Sequence, residues 1–309
     1  MNNRICIIGA GAIGRALAVF LKLDNKNVTL IRGSIDNLLT YEENISVVLG
    51  DGTELTAEIE IATLSNFQSL DGLIVLTSKS FGNRNLSAAL KDKVNMSPVI
   101  ILQNGLGVER CFIESGYSEV YRCVLFLTSQ LLTESKVIFK SIAISPIGVV
   151  KGNLKLLNSA IEQLNTINFP FRAEENIEPI IWKKVIANCV FNSICPLIEI
   201  DNGIFYRNNE ALSLAKRIVK ECITIAQTVG IHLNEAEVVE NILLISKSSE
   251  GQFISTLQDI RRKHKTEIET MNFEIVRIAQ KFGKENMVNE TKLLGELIRL
   301  KSESNQEKS

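Results

Sequence analysis

RICIIGAGAIG, residues 4–14, is the stretch that decides the fold of the N-terminal half of the chain. A short β-branched run, Arg4–Ile8, meets the glycine pattern G-x-G-x-x-G, and a helical pattern follows as far as Leu23. Between a strand and a helix, this pattern forms the phosphate-binding turn of dinucleotide-binding proteins. The sequence therefore predicts an α/β fold with an N-terminal Rossmann-type domain.

The glycines of this motif have separate predicted roles. Gly9 permits a tight turn, Gly11 lets the backbone approach a pyrophosphate, and Gly14 allows close packing of the helix on the strand. The N–H groups at the start of the helix face the phosphates with their partial positive charge. The predicted cofactor contacts of the loop are Gly9, Ala10, Gly11, Ala12, Ile13 and Gly14. A glycine-rich turn without a nucleotide is the alternative interpretation.

The end of the second predicted strand, Asn27–Ile31, indicates which dinucleotide binds. An NAD site usually has an acidic residue here for the ribose hydroxyls, whereas this chain has Arg32 and then Ser34, a pair suited to a 2′-phosphate. We therefore expect NADPH rather than NADH, with Arg32 as a contact. Asp36 lies slightly too late in the chain for the acidic role, unless an irregular loop brings it back.

Two further buried strands are predicted at residues 73–77 and 99–102, after a hairpin that turns at residues 50–52. The two strands lead to Lys79 and to Asn104. In an open parallel sheet, ligands bind at the carboxyl ends of the strands. Lys79 and Asn104 are therefore well placed to contact the cofactor or the substrate, although either residue could instead cap a loop.

A stretch without periodicity, residues 168–176, separates the strand-rich part of the chain from a part made of predicted helices. We place the domain boundary there, with a Rossmann domain at 1–170 and an all-helical substrate and catalytic domain at 171–309. The predicted helices of the second domain are 178–192, 209–229, 235–246, 255–282 and one from about 289. The charged tail, 301–309, is expected to fray.

The first of these helices, EPIIWKKVIANCVFN at 178–192, is apolar at most positions but has one polar face. Lys184, Asn188 and Asn192 are four residues apart and so lie along one side of the helix. Burying such groups without partners would cost on the order of several kcal/mol. This face therefore indicates the wall of a site, and a surface helix with Lys184 in solvent is the alternative.

Composition narrows the classes of partner. The 309 residues include 34 basic and 35 acidic side chains, which favours neither nucleic acid nor a membrane surface. No leader-like segment is recognised, and no apolar run approaches a membrane span. Six scattered cysteines indicate a reducing compartment, so we expect a cytoplasmic protein.

The two histidines disfavour a histidine-based metal site, and no metal is predicted. Apolar helical faces are compatible with a homodimer or with the core alone.

Motifs spread over essentially the whole chain resemble those of the ketopantoate reductases (2-dehydropantoate 2-reductases). They are GAGAIG at 9–14, TSKSF at 77–81, QNG at 103–105, WKKVIANCVFN at 182–192, DNG at 201–203, and STLQDI at 255–260 with KTEIE at 265–269. The resemblance implies a Rossmann domain, an all-helical C-terminal domain, and NADPH-dependent reduction of 2-dehydropantoate to (R)-pantoate in pantothenate biosynthesis.

The resemblance also implies roles for individual residues. Lys184 is similar to the family's general acid, and Glu267 to the acidic partner of that lysine and of the substrate hydroxyl. Asn188 and Asn202 are similar to substrate-binding amides, and Ser255 to a contact of the substrate carboxylate. From the sequence alone, an N-cap role suits Ser255 equally well.

Two features of the second domain keep other interpretations open. The predicted helix 255–282 would place Asp259 and Glu267 on roughly one face, where they could pair with basic neighbours. Gln252 stands where many relatives have asparagine; we include it among the substrate contacts, and it keeps open a reductase of a different 2-oxo acid. A non-catalytic NADP(H)-binding sensor is a third hypothesis, disfavoured because Lys184 and Glu267 are both present.

Overall fold

The computed structural model describes residues 4–33, 35–94 and 96–307, and the chain divides into two compact units. The first unit (unit 1) extends to Ile177, except for Asn104–Gly107. Those four residues belong with Glu178 and the rest of the chain in the second unit (unit 2). Unit 1 is α/β and unit 2 is all-helical, which confirms the predicted fold class.

Unit 1 is built on one mixed sheet, whose described strands lie in the order β11-β10-β7-β6-β5-β1-β2-β4-β3-β9-β8. The strands are β1 Arg4–Ile8, β2 Asn27–Arg32, β3 Tyr41–Leu49, β4 Glu54–Thr63, β5 Leu73–Leu76, β6 Val99–Ile101, β7 Val120–Cys123, β8 Leu127–Leu131, β9 Lys136–Ser141, β10 Ser145–Lys151 and β11 Phe171–Glu174. Its helices are α1 Ala12–Leu23, α2 Asn83–Lys91, α3 Arg110–Glu114 and α4 Leu154–Leu164.

The parallel core of the sheet explains why the glycine-rich loop lies where it does. β1 pairs in parallel with β2 on one side and with β5 on the other. The chain therefore leaves the sheet in opposite directions on either side of β1, which is the switch point where open α/β sheets bind ligands. The core strands are buried on both faces, which requires the continuous β-branched runs seen in the sequence.

The predicted hairpin is confirmed. β3 and β4 pair antiparallel, and the turn between them is fixed by Asp51, whose Oδ1 accepts the backbone N–H of Thr53 at 2.9 Å. Gly52 adopts φ +88°, a conformation that glycine reaches without strain.

Unit 1 continues further along the chain than the boundary predicted between residues 170 and 171. β11 begins at Phe171 and pairs in parallel with β10. Ile177 then packs on β10 so closely that a Cβ added to Gly148 would lie 2.4 Å from that of Ile177. The residues that sequence periodicity left unassigned are therefore a short strand at the edge of the sheet, too short to show a pattern.

Unit 2 is assembled around its first helix, α5 Glu178–Ile198. The others are α6 Ile204–Arg207, α7 Asn209–Thr228, α8 Glu235–Ser248, α9 Ser255–Arg261, α10 Asn272–Lys281 and α11 Asn289–Glu307. Helices α7, α9 and α11 all pack on α5. By length and composition α5 could cross a membrane, so the statement that no apolar run approaches a span was wrong. Because 72% of its most apolar window is buried in the protein, α5 is explained as a core helix.

The predicted continuous helix at 255–282 is also wrong, because it breaks after α9. Lys263 adopts φ +58°, its N–H donates to the carbonyl of Ile260, and the next N–H, of His264, donates to the carbonyl of Asp259. These two bonds are the Schellman arrangement that ends a helix. The charged run at 261–265 offers no apolar positions to bury, so nothing opposes the break. Asp259 and Glu267 therefore do not share a helical face.

The charged tail was expected to fray, but its described part is helical, since α11 continues to Glu307; residues 308 and 309 lie outside the described residues. The Nζ of Lys301 donates to the carbonyl of Pro196 at 2.7 Å and to the carboxylate of Glu199 at 2.8 Å. The Nδ2 of Asn305 reaches the carbonyl of Ile260 at 3.4 Å. Polar contacts with α5 and α9 replace the apolar anchors that the sequence lacks.

Candidate active site

The glycine-rich turn after β1 has almost no space around two of its glycines. Gly9 adopts φ +125°, and a Cβ there would lie 2.4 Å from the backbone nitrogen of Ser78. A Cβ on Gly14 would lie 2.0 Å from the carbonyl oxygen of Gly9 and 2.6 Å from Oγ1 of Thr77. That hydroxyl donates to the same carbonyl at 2.8 Å. Gly9 and Gly14 are therefore required by the packing of the turn itself.

Gly11 is different, because no atom of the described residues beyond its chain neighbours lies within 4 Å of the position its Cβ would take. It is the N-cap of α1 with φ −81°, a conformation open to any residue, and it is exposed. Its lack of a side chain is thus not explained by the fold and leaves open space beside the first turn of a helix. Such a cradle of backbone N–H groups fits a pyrophosphate.

Arg15, which sequence reasoning did not single out, is hydrogen-bonded to this loop. Its Nε donates to the carbonyl of Ala10 at 3.1 Å and its guanidinium pairs with Glu43 on β3 at 3.1 Å. The side chain is only 8% exposed. A buried arginine on an otherwise apolar helix face was the available signal.

Arg32 ends β2 and is partly exposed, as a contact to a 2′-phosphate requires. Ser34, its expected companion, lies outside the described residues. Asp36 does not stand free for a ribose, because its Oδ1 accepts the backbone N–H groups of Ser65 at 2.9 Å and of Asn37 at 3.0 Å. The hydrogen bonds from Ser65, followed by that from Asn37, lower the pKa of Asp36.

Lys79 lies at the carboxyl end of β5 with an exposed side chain, immediately before the short 3₁₀ turn Ser80–Gly82. Next to it, Ser78 receives a hydrogen bond from Nε2 of Gln103 at 3.3 Å. Gln103 also exchanges two amide hydrogen bonds with Asn83, at 2.7 and 2.8 Å. The first residue of the QNG motif is therefore structural, since it ties together the ends of β5 and β6.

In unit 2, the polar face of α5 runs from a partly exposed to a buried position. Lys184 and Asn188 are half-buried, and Asn192 is 1% exposed. One turn of helix separates consecutive members, about 6 Å along the axis. Lys183 lies at the edge of the helix, where its Nζ pairs with Glu237 at 3.0 Å and its side chain is 40% exposed.

Asn192 connects α5 with the start of α9. Its Oδ1 accepts a hydrogen bond from Oγ of Ser255 at 3.3 Å and another from the backbone N–H of Thr256 at 3.3 Å. The N-cap of α9 is Ile254, so the N-cap interpretation of Ser255 is wrong: Ser255 is the first helical residue. Asn192 was placed on the polar face from the sequence but not among the site residues, because its partners lie 63 and 64 positions away.

Asn202 lies in the turn between α5 and α6 and is 7% exposed. Its N–H donates to the carbonyl of Gln252 at 2.9 Å, and its carbonyl accepts from Oγ of the buried Ser246 at 2.7 Å. Its side-chain Oδ1 is buried and has no hydrogen-bond partner among the residues that the structure describes. Leaving such an oxygen unpaired costs about 1–3 kcal/mol, so this amide is a strong candidate to bind a ligand. The exposed Gln252 lies directly beside it.

Asn104 and Glu267 are brought near each other through Thr270. The backbone N–H of Leu106 donates to the carbonyl of Thr270 at 2.8 Å, and a Cβ on Gly105 would lie 2.4 Å from the Thr270 hydroxyl. That hydroxyl also donates to the carbonyl of Glu267 at 3.2 Å. Glu267 itself is 8% exposed and precedes the 3₁₀ turn Ile268–Thr270. The segment after β6 therefore docks on the turn that carries the buried carboxylate.

The structure thus groups the substrate candidates of unit 2 into three sets. The sets are Lys184, Asn188 and Asn192 with Ser255; Asn202 with Gln252; and Glu267 with Asn104. The cofactor candidates Gly9–Gly14, Arg32 and Lys79 belong to unit 1. An ammonium, several amides, a hydroxyl and a carboxylate can bind a polar anionic molecule and exchange a proton with it.

Two family models match the chain. The model described as "Ketopantoate reductase PanE/ApbA" covers residues 5–151, and that described as "Ketopantoate reductase PanE/ApbA C terminal" covers residues 176–301. Together they include every candidate residue named above.

Similar proteins agree with these matches. A 2-dehydropantoate 2-reductase of Pyrococcus horikoshii is 30% identical over 289 residues, which cover 93% of this chain and 94% of that protein. Among solved structures, a D-mandelate dehydrogenase with NADH and anilino(oxo)acetate has a TM-score of 0.84 at 22% identity, over 98% of this chain and 99% of that one. A dimeric ketopantoate reductase from Staphylococcus aureus has a TM-score of 0.81 at 19% identity, over the same shares. These structural likenesses concern the fold.

Proposed function

The chain belongs to the ketopantoate reductase family of oxidoreductases, and we propose that it reduces the keto group of 2-dehydropantoate to give (R)-pantoate, with NADPH as cofactor. The observation that carries this proposal is the polar face of α5, on which Lys184 and Asn188 precede an asparagine bonded to Ser255. This face combines a proton donor with amide and hydroxyl groups in a helix that is otherwise apolar.

The cofactor part of the proposal is supported by the open space at Gly11 and by Arg32. The loop Gly9–Gly14 would hold the pyrophosphate, Arg32 the 2′-phosphate, and Lys79 a neighbouring part of the nucleotide. Arg32 at the end of β2 favours NADPH, because a guanidinium suits the 2′-phosphate, and Oδ1 of Asp36 is already engaged by the Ser65 amide. When bound, the reduced nicotinamide supplies a hydride to the keto carbon of the substrate.

Lys184 is the proposed general acid. Negative charge develops on the keto oxygen as the carbon is reduced, and a positioned ammonium both stabilises that charge and donates the proton. Its half-buried position strengthens this interaction relative to that of a fully exposed lysine. Glu267 is the proposed acidic partner, whose buried carboxylate would attract both the ammonium and a substrate hydroxyl.

The amides and the serine are the proposed substrate contacts. The unpaired Oδ1 of Asn202 is a hydrogen-bond acceptor, so it suits a substrate hydroxyl, which can donate. Ser255 could donate to a substrate carboxylate by giving up its bond to Asn192. That exchange is inexpensive because the bond is 3.3 Å long and Asn192 keeps the N–H of Thr256. Asn104 and Asn188 supply further amide donors.

The initial rate of NADPH oxidation by the purified protein tests this proposal. We expect turnover with 2-dehydropantoate and NADPH, slower turnover with NADH, and loss of turnover in Lys184→Ala. Arg32→Ala should reduce kcat/KM for NADPH much more than for NADH, since only NADPH has the 2′-phosphate. Dinucleotide binding without turnover of any 2-oxo acid would overturn the assignment.

A reductase of another 2-oxo acid is the second candidate, favoured by one observation. Gln252 is exposed and its carbonyl accepts the N–H of Asn202, so the residue that replaces the usual asparagine adjoins the turn of the proposed substrate amide. A panel of 2-oxo acids with different side chains, assayed beside 2-dehydropantoate, separates the two candidates by their kcat/KM values.

We further propose that the enzyme works in the cytoplasm. All six cysteines are free, and every one except Cys111 is fully buried, which suits a reducing compartment. A homodimer is also proposed, by analogy with the dimeric Staphylococcus aureus enzyme, and light scattering of the purified protein would test it.

A further inference from the structure

The turn that carries Asn202 is held by contacts on both sides. Asp201 accepts the backbone N–H of Gly203 through Oδ1 at 2.7 Å, which closes the turn. The guanidinium of Arg207, one turn of helix further on, donates to both oxygens of Asp201 at 3.1 and 2.9 Å. Asn202 thus follows directly after a carboxylate that is held by an ion pair to Arg207 and by the N–H of Gly203.

Arg207 also reaches a second segment of unit 2. Its other terminal nitrogen donates to Glu250 at 2.6 Å, two residues before Gln252. The carbonyl of Gln252 is the acceptor for the N–H of Asn202. The backbone N–H of Gly251 helps to lower the pKa of Asp201, after the larger effect of Arg207. One guanidinium therefore joins the two segments that meet at Asn202.

Gly203 makes room for this arrangement. A Cβ on Gly203 would lie 2.5 Å from a terminal nitrogen of Arg207 and 2.8 Å from Oδ1 of Asp201. Gly203 has φ −67°, which any residue can adopt, so the backbone does not demand glycine here. What demands it is the guanidinium that lies across the turn.

We propose that Arg207 is a positioning residue for the amide of Asn202: by joining Asp201 to Glu250, it fixes the turn that presents the unpaired Oδ1 of Asn202 to the substrate. This inference rests on the proposed function, because it takes Asn202 as a substrate contact. Arg207 itself is 36% exposed and has both its carboxylate partners within the protein. Its effect on the reaction is therefore exerted through Asn202.

Two backbone restraints on Asn202 other than Arg207 should keep this turn in place when the guanidinium is removed. The N–H of Asn202 still bonds to Gln252, and the buried hydroxyl of Ser246 still bonds to the carbonyl of Asn202 and accepts the N–H of Tyr206. Loss of the guanidinium should thus loosen the side-chain direction of Asn202 rather than unfold the turn.

Steady-state kinetics of Arg207→Met test the inference, with Arg217→Met as the matched control. Arg217 makes an exposed ion pair with Glu290, also in unit 2. We expect Arg207→Met to raise KM for 2-dehydropantoate about tenfold, which is what the loss of about 1.4 kcal/mol of binding free energy gives. The KM for NADPH and kcat should stay within about threefold, and Arg217→Met should change none of these constants.

Two further variants keep the result interpretable. Arg207→Lys should recover part of the affinity, because an ammonium contacts one carboxylate at a time. Gly203→Ala should also raise KM for 2-dehydropantoate, because its methyl group displaces the guanidinium without straining the backbone. If Arg207→Met does not fold, Gly203→Ala takes its place in the test. A wild-type enzyme that turns over 2-dehydropantoate, with KM unmoved in both Arg207→Met and Gly203→Ala, overturns this inference alone. A wild-type enzyme that turns over no 2-oxo acid overturns the proposed function and this inference with it.

Discussion

The hydroxyl of Ser255 donates to Oδ1 of Asn192 at 3.3 Å, and this contact joins the first residue of α9 to the buried end of the polar face of α5. The same oxygen accepts the backbone N–H of Thr256, one of the N–H groups that have no partner inside α9. A single carboxamide therefore both caps one helix from another and sets the position of a proposed substrate contact.

Replacing Asn192 by alanine should lower stability and weaken substrate binding together. The buried N–H of Thr256 would lose its acceptor, which costs about 1–3 kcal/mol in the free energy of unfolding. Urea denaturation measures this loss, and KM for 2-dehydropantoate should rise in parallel. Ser255→Ala is the control, because it leaves the Thr256 bond in place and should raise KM with little change in stability. Equal stability losses in the two variants would contradict this account.

The two adjacent lysines of α5 should differ sharply in their contribution to the rate. Lys184→Met should reduce kcat by a factor of about 10²–10⁴, as is typical when a general acid is removed. Lys183→Met removes only an ion pair with Glu237 in which both side chains are 40% or more exposed, so kcat should stay nearly unchanged. Single-turnover measurements with NADPH check both values. Similar losses in the two variants would mean that net charge, rather than a positioned proton donor, matters.

Alanine substitutions at two glycines of the cofactor loop should affect stability and dinucleotide binding differently. Gly14→Ala places a methyl group 2.0 Å from the carbonyl oxygen of Gly9. It should therefore lower the free energy of unfolding by roughly 1–3 kcal/mol or more, the cost of overpacking, and the melting temperature should fall with it. Gly11→Ala meets no protein atom and should leave the melting temperature unchanged. It should nevertheless raise the Kd for NADPH, because the methyl group fills the space proposed for the pyrophosphate. Fluorescence titration with NADPH would refute this if the Gly11→Ala variant bound as tightly as the wild type.

Acid should weaken unit 2 through Asp201. Its pKa is lowered below the ordinary 3.8, first by Arg207 and then by the amides of Gly203 and Gly251. A carboxyl group with a depressed folded-state pKa stabilises the protein fully above its unfolded pKa and loses that contribution as the pH falls through the folded value. The stability difference between wild type and Asp201→Asn should therefore be constant above about pH 5 and shrink below pH 3.8.

Urea unfolding at a series of pH values measures this difference. Arg207→Met should reduce the same pH dependence, because it removes the largest cause of the shift. A stability difference that stayed constant down to pH 2.5 would show that Asp201 contributes only through the geometry of the turn.

Most of unit 1 could be predicted from the sequence because its signals are local. The strand β1, the glycine turn and the hairpin at residues 50–52 each depend on neighbours a few positions apart. β11 was missed because four residues are too few to show a period, and they become a strand only by pairing with β10.

In unit 2 the local signals were partly misleading. Helical propensity continued across residues 255–282, yet the helix ends at Lys263, where the charged run has no apolar side chain to bury. The later 3₁₀ turn, Ile268–Thr270, contacts residues 104–107 through Thr270. The tail of α11 seemed unsupported until Pro196 and Ile260 supplied acceptors for Lys301 and Asn305. Both outcomes depend on partners distant in the sequence.

The sequence by itself determined the two-part architecture, the glycine turn and the polar face of α5, since all three follow from residue types at fixed short spacings. Only the tertiary structure decided which contacts hold the candidate site residues in place. Asn192 meets Ser255, Asn202 meets Gln252, and Arg207, which also binds Asp201, contacts Glu250, 43 positions further along the chain. Such pairings depend on where the helices pack, and the periodicity of a single helix contains no information about its neighbours.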